Sequence, residues 1–242
     1  MKMTDSNTAN KVISPNGVHH LAISTADMGA QIDFFCNVLG GELRALYWMH
    51  GAENTFHGFV RLNDHSYVAF VQPPEGTVPE PVRGVSHPGG PVQATAGGTL
   101  QHLSFNVDTY EHLEEMRDRI RSHGYNAFGP VDHGFCQSIY FSGPEGMALE
   151  VATSAVAIDS DLWIDPEVAA LVGLDDADIA RLTHASPFHR PAEGVAQPPR
   201  DASYSYMGMD EERYQGILDM SDQEVLEVLS ETTAPGRRQV NA

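Results

Sequence analysis

The sequence predicts an α+β fold made of two βαβββ modules and a helical extension at the C-terminal end. Three observations point to it: a strand, helix and strand layout that occurs twice, a Pro- and Gly-rich stretch between the copies, and a change to short helical patterns beyond residue 154. On this reading residues 1–16 form an N-terminal arm, 17–72 the first module and 73–99 a linker or active-site loop. Residues 100–154 form the second module and 155–242 the C-terminal helical and irregular extension.

Each module opens on a short strand that carries a histidine. His20 leads Leu-Ala-Ile-Ser-Thr into Ala26-Asp27, and His102 leads Leu-Ser-Phe-Asn-Val into Asp108, both β-rich runs that end at an acidic turn. A helix follows in each copy. Met28, Ile32, Phe35 and Leu39 recur at helical spacing before Gly40-Gly41 stops the run, and Leu113, Met116 and Ile120 keep the period up to His123-Gly124. Three strand candidates complete each unit: Glu42 to Trp48, Gly58 to Leu62 and Tyr67 to Gln72 in the first, then Asn126 to Phe128, Gln137 to Phe141 and Ala148 to Ala152 in the second. Asn63-Asp64 and Gly143-Pro144-Glu145-Gly146 mark turns between them.

Residues 73–99 have almost no periodic hydrophobicity, and a loop of that length in a compact protein is often functional. In the extension, Pro166 suits the first position of a helix, and Ser221-Asp222-Gln223-Glu224 is a capping box that opens a helix from Val225 to Leu229. Residues 184–208 are Pro-rich and aromatic and read as an irregular arm; the tail packs over the modules or over a second subunit.

Composition narrows the function. The formal net charge of -19 repels phosphate backbones and the 14 Lys and Arg are scattered singly, so nucleic acid is not an expected partner. No run of about 18 apolar residues occurs and the N-terminus has no apolar signal core, so no membrane partner is expected and the cytoplasm is the expected location. Cys36 and Cys136 show no CxxC spacing, which fits a reducing compartment.

The chemistry concentrates at three positions. A histidine occupies the matching place in the two opening strands, and the last strand of the second module carries Glu150 in an apolar context, Gly146-Met147-Ala148-Leu149-Glu150-Val151. A carboxylate buried in an apolar strand is costly unless it is paired or binds a metal. Two imidazoles and one carboxylate form a facial set that leaves coordination positions open, as in non-haem iron(II) oxygenases.

These residues carry a resemblance. His20 with Asp27 seven residues on, Phe34-Phe35 followed by Leu39-Gly40, His102 with Asp108, and Tyr140-Phe141-Ser142-Gly143-Pro144-Glu145-Gly146 leading to Glu150 resemble the vicinal oxygen chelate superfamily over roughly Gly17 to Thr153. That superfamily includes glyoxalase I, methylmalonyl-CoA epimerase, fosfomycin-resistance proteins and type I extradiol dioxygenases. The resemblance implies that the modules curl into one cup-shaped sheet around a divalent metal held by His20, His102 and Glu150. His19 rivals His20 as the first ligand; the spacing to Asp27 and the alternation of strand side chains favour His20.

Glyoxalase I and its nearer relatives take a fourth ligand from the last strand of the first module, but Ser66-Tyr67-Val68-Ala69-Phe70-Val71 offers no carboxylate. The three-ligand pattern is similar to the catalytic half of extradiol dioxygenases. This implies iron(II) as cofactor, a small catecholic or quinolic aromatic as substrate, and a homo-oligomer. Mn, Zn, Ni or Co on the same ligands goes with the alternatives, a redox-neutral isomerase, epimerase or lyase, and a small-molecule binding or resistance protein is the third reading. The resemblance gives Tyr140, ten residues before Glu150, a hydrogen bond to a substrate oxygen. It places His65 within about a residue of the family's acid/base histidine, and His133 and His57 are further candidates for proton transfer, none preferred over the others. Trp48, Phe56, Phe59, Phe105, Phe135 and Tyr140 are candidates for an aromatic wall.

Overall fold

The computed structural model describes residues 13–88, 95–201 and 209–236. The chain divides into two units, residues 15–183 and a second unit formed by the residues at the two ends.

In the first unit each module has the predicted order. The first runs β1 (His20–Ser24), α1 (Met28–Asp33), a π-helical turn (Phe34–Val38), β2 (Glu42–Trp48), β3 (Phe56–Asn63) and β4 (Ser66–Gln72). The second runs β5 (Leu103–Asn106), α2 (Tyr110–Ser122), β6 (Ala127–Asp132), β7 (Gln137–Ser142), a single 3-10 turn (Pro144–Gly146) and β8 (Ala148–Thr153). The spatial orders are β1-β4-β3-β2 and β5-β8-β7-β6, with first and last strands parallel and the other pairs antiparallel.

Local chemistry sets these bounds. The Asp27 carboxylate accepts from the Ala30 N–H at 2.9 Å, and the Thr109 hydroxyl accepts from the His112 N–H at 3.1 Å, each satisfying a free donor in a first helical turn. The helix predicted for the first copy is only partly α. It widens over Phe34–Val38, where the Leu39 N–H reaches the Phe34 carbonyl five residues back at 3.2 Å. Gly40 ends it in the left-handed region (φ +83°), and Gly41 passes so close to β3 that a β-carbon there would meet Val60 Cγ1 at 2.5 Å.

One core serves both modules. Phe35, fully buried, packs edge-on against Phe70 of its own module (5.0 Å between ring centres) and Phe105 of the other (6.0 Å). Its neighbour Phe34 packs on Tyr125 (4.9 Å) and Phe141 (6.4 Å), both in the second module. Burying each ring contributes roughly 1.5–3 kcal/mol. Polar links add to this. The Arg119 guanidinium donates to the Val38 and Asn37 carbonyls (2.8 and 2.9 Å), and the Glu145 carboxylate accepts from the Ala26 N–H and the Gln31 amide, both at 2.7 Å. Glu145 holds φ +54°, a conformation costing about 1–2 kcal/mol in a residue with a β-carbon.

The strands form two four-stranded sheets rather than one continuous cup. β1 and β5 are edge strands, and a cleft of about 880 Å³ is lined by Leu21 and Val68 from one module and Leu103, Phe105 and Met116 from the other. β1 and β5 do not pair with one another, and residues of the helices and strands of both modules share the core.

Three helices of the extension, α3 (Ser160–Trp163), α4 (Pro166–Leu171) and α5 (Asp176–Leu182), belong to the first unit. Pro166 opens α4 as predicted. In the second unit lie α6 (Glu211–Leu218) and α7 (Asp222–Leu229), and the Ser221–Glu224 capping box opens α7 three residues earlier than predicted. Within the irregular arm, residues 184–201 carry no helix or strand and 202–208 lie outside the described residues. The same holds for 89–94 in the loop between the modules, whose described part contains a single bridge between Arg83 and His87, and for 1–12 of the N-terminal arm. Among the described residues no helix is long and apolar enough to cross a membrane.

Candidate metal centre

Glu150 lies in the middle of β8 and is only 5% exposed. Its ladder partners are Ser104 on β5 and Tyr140 on β7, and residues opposite one another in a ladder share a sheet face. His102, one residue before β5, closes on the same carboxylate, with Nε2 2.8 Å from Glu150 Oε2. The pair is anchored on the carboxylate side and open on the imidazole side, since the His102 side chain is 43% exposed.

The polar chain continues along this face. The Tyr140 hydroxyl lies 2.7 Å from His133 Nε2, in the turn between β6 and β7, and Phe128 stacks on the Tyr140 ring at 5.3 Å. Burial pushes the Tyr140 phenol above its ordinary pKa; the nearby Glu150 carboxylate adds to the rise and a hydrogen bond with Ser138 opposes it. A carboxylate, an imidazole, a phenol and a second imidazole therefore share one face of the second sheet.

The matching face of the first sheet is different. His20 begins β1 and pairs across the ladder with Tyr67; its ring lies 5.5 Å from that of Phe59, while His19 leans on Tyr67 at the same distance. The two histidine Nδ1 atoms are 2.9 Å apart. On β3, His57 Nδ1 lies 3.2 Å from the Tyr47 hydroxyl, and among the described residues its buried Nε2 has no hydrogen-bond partner. Burial lowers the His57 pKa, and the neighbouring His20 lowers it further.

Of the three expected ligands, His102 and Glu150 are brought together and His20 is not with them. Among the described residues no three His, Cys, Asp or Glu side chains converge to hold a metal ion. His133 is joined to Tyr140, whereas His65 is exposed in the turn between β3 and β4, its backbone N–H held by the Asn63 side chain at 2.9 Å. The aromatic candidates divide as well. Phe105 is core, Trp48 and Phe56 pack on each other, and Phe59 and Tyr140 lie on the two site faces. The sequence reading did not single out Phe128, which stacks on Tyr140; its place on β6, across the ladder from Tyr140, is the signal that could have found it.

The family model for the Glyoxalase/Bleomycin resistance protein/Dioxygenase superfamily matches residues 17–151, more than half of the chain. The chain belongs to that superfamily. Two curated relatives from Rhodococcus globerulus, biphenyl-2,3-diol 1,2-dioxygenase 3 and biphenyl-2,3-diol 1,2-dioxygenase 2, are 28% and 26% identical to it over 133 residues. These stretches cover 54% of the chain and 60% of each relative, so the likeness spans about three fifths of the dioxygenases' length. Among solved structures, a glyoxylase/bleomycin resistance protein/dioxygenase domain from Frankia sp. EAN1pec aligns with a TM-score of 0.48 at 16% identity, covering 58% of this chain and 99% of that one. The fosfomycin resistance protein FosX from Listeria monocytogenes, solved with Mn(II) and sulfate, aligns with a TM-score of 0.39 at 15% identity, covering 59% and 96%. Superfamily membership accounts for the paired modules; the reaction is a separate question.

Proposed function

We propose that the chain is a metal-dependent, extradiol-type ring-cleaving dioxygenase acting on a small catecholic or quinolic aromatic. One observation carries this reading: a buried carboxylate, Glu150, faces His102 at 2.8 Å, and a Tyr140–His133 pair continues the same sheet face. The donors fit a divalent metal in part. His102 and Glu150 supply an imidazole nitrogen and a carboxylate oxygen, a mixed set suited to iron(II) and leaving positions open, and the second imidazole, His20, comes from another copy of the chain. β1 and β5 each have an unpaired edge, so placing β1 of one copy beside β5 of the next brings the two histidine-bearing strands together.

Bound iron(II) supplies Lewis acidity toward adjacent aromatic oxygens and redox chemistry toward dioxygen. The chain's own residues do the rest. The Tyr140 hydroxyl donates to a substrate oxygen, His133 Nε2 holds or returns the proton at that hydroxyl, and Phe128 backs the phenol ring. His65 is the alternative proton group, in the turn of the module that carries His20. On the first sheet the positions facing the same way as His20 are Tyr67, Ala69 and Val71 of β4, which add no fourth carboxylate and disfavour glyoxalase-type chemistry on Mn, Zn, Ni or Co.

The test is anaerobic metal analysis with oxygen uptake on a panel of catechols and hydroquinones. Wild type is expected to hold iron and consume oxygen, and Glu150→Ala to bind metal at least about 100-fold more weakly while staying folded. His20→Ala and Glu150→Ala are each expected to be inactive alone, and mixing them to restore about a quarter of wild-type activity, because half the exchanged dimers carry one intact site. No recovery between two exchanging variants would overturn the shared site; metal without oxygen uptake would overturn the dioxygenase. A binding protein is the second reading, favoured by the absence of three converging donors among the described residues of one copy. Tight binding of an aromatic with no bound metal and no turnover would establish it.

A further inference from the structure

We propose that Trp163, the last residue of α3, is a positioning residue that holds His133 against Tyr140. The inference deepens the proposed role of that pair, and it rests on a contact between the extension and the turn joining β6 to β7.

Gly134 follows His133 and takes φ +85°, a conformation that favours glycine. A β-carbon at Gly134 would lie 2.7 Å from Trp163 Cη2 and 2.8 Å from Cζ2, so the indole sits directly on the backbone beside His133. The next residue, Phe135, meets the same indole edge-on, with ring centres 4.9 Å apart and planes at 81°. Two adjacent residues of the turn thus share one aromatic partner.

The turn has few restraints of its own. The Gly134 N–H donates to the Asp132 carboxylate at 2.7 Å, the His133 N–H to the Cys136 carbonyl at 2.8 Å, and Asp132, His133 and Gly134 are all exposed. The backbone that carries the indole has its own restraints in α3. The Trp163 backbone N–H donates to the Asp159 carbonyl at 3.0 Å, and the Asp159 carboxylate caps α3 through the Asp161 backbone N–H at 2.9 Å. A residue that belongs to neither module therefore fixes the height of the turn from which His133 reaches Tyr140 at 2.7 Å. Removing the indole frees two aromatic or backbone contacts at once, and the imidazole, attached one residue away, loses its fixed approach to the phenol.

The experiment reads the imidazole directly, with no need for turnover. Side-chain nitrogen NMR of the purified full chain, with the His133 signals identified from their loss in His133→Gln, is compared among wild type, Trp163→Ala and Trp163→Phe. In Trp163→Ala the His133 Nε2 resonance is expected to move to the position of an unbonded imidazole, and Trp163→Phe to keep most of the wild-type shift. Should Trp163→Ala fail to fold, Trp163→Leu, which retains an apolar side chain but no ring edge for Phe135, gives the same reading. An unmoved His133 resonance in a folded Trp163→Ala or Trp163→Leu protein would overturn the proposal. Catechol cleavage supplies the second readout: kcat falls about 10²-fold with KM nearly unchanged, and Trp163→Ala adds nothing in a His133→Ala background. A responsive His133 signal with no ring cleavage in wild type would sink the dioxygenase reading and leave the positioning role standing.

Discussion

The two modules have the same strand order and opposite chemistry. On the first sheet the site face holds imidazoles and aromatic rings: His20, His57, Tyr47, Phe59 and Tyr67. On the second, a buried carboxylate organises everything around it, with His102 on one side and Tyr140 and His133 on the other. A repeated backbone therefore does not repeat a site. The carboxylate at Glu150 has no counterpart on β4, where Tyr67, Ala69 and Val71 face the same way as His20.

The largest effect tests what the modules share. Phe35→Ala is expected to cost about 3–5 kcal/mol, because the ring is fully buried between Phe70 and Phe105. Urea denaturation followed through the two tryptophans, Trp48 on β2 and Trp163 against the β6–β7 turn, should give one coincident transition. Separate transitions would show that the halves unfold independently and would break the comparison.

A smaller loss, about 1–3 kcal/mol, is expected for Glu145→Ala, which leaves the Gln31 amide and the Ala26 N–H without their acceptor. Glu145→Gln should lose less, since one carbonyl oxygen remains to accept. If Glu145→Ala denatures at the wild-type urea concentration, the link between turn and helix contributes nothing to holding the modules together.

The smallest effect belongs to the first module alone. Burial keeps the folded-state pKa of His57 below its unfolded value, so folding disfavours its protonation. Its contribution is fully present above the ordinary imidazole pKa of about 6.5 and is lost as pH falls through that value toward the lowered one. The urea midpoint of wild type should therefore drop more between about pH 7.5 and about pH 5.5 than that of His57→Gln. Equal slopes would remove the distinction drawn for that face.

Much of this architecture was legible in the sequence because it is local. The strand candidate Glu42 to Trp48 is β2 with the same bounds, the Gly40-Gly41 pair ended the first helix, and the apolar setting of Glu150 marked it as a carboxylate that needs a partner. What stayed hidden depends on how distant segments meet. The meeting of His102 with Glu150 without His20 depends on how strands distant in sequence come together in space, which leaves no mark on the strand pattern. The approach of His133 to Tyr140 comes from a turn on which Trp163 packs, thirty residues along the chain. His57 looks like any strand histidine until its ring is seen to be covered on one side and bonded to Tyr47 on the other.

The π-helical turn at Phe34–Val38 has a consequence for how the molecule can be divided. In a regular helix adjacent side chains diverge by about 100° and one of a pair usually meets solvent. Here Phe34 and Phe35 are both buried, one ring against Tyr125 and Phe141, the other between Phe70 and Phe105. A fragment ending in the loop after β4 would carry both rings with half their socket missing, and the complementary fragment would carry the empty half. Neither repeat expressed as a separate piece is therefore expected to fold as it does in the whole chain, and far-UV circular dichroism of the two fragments checks this.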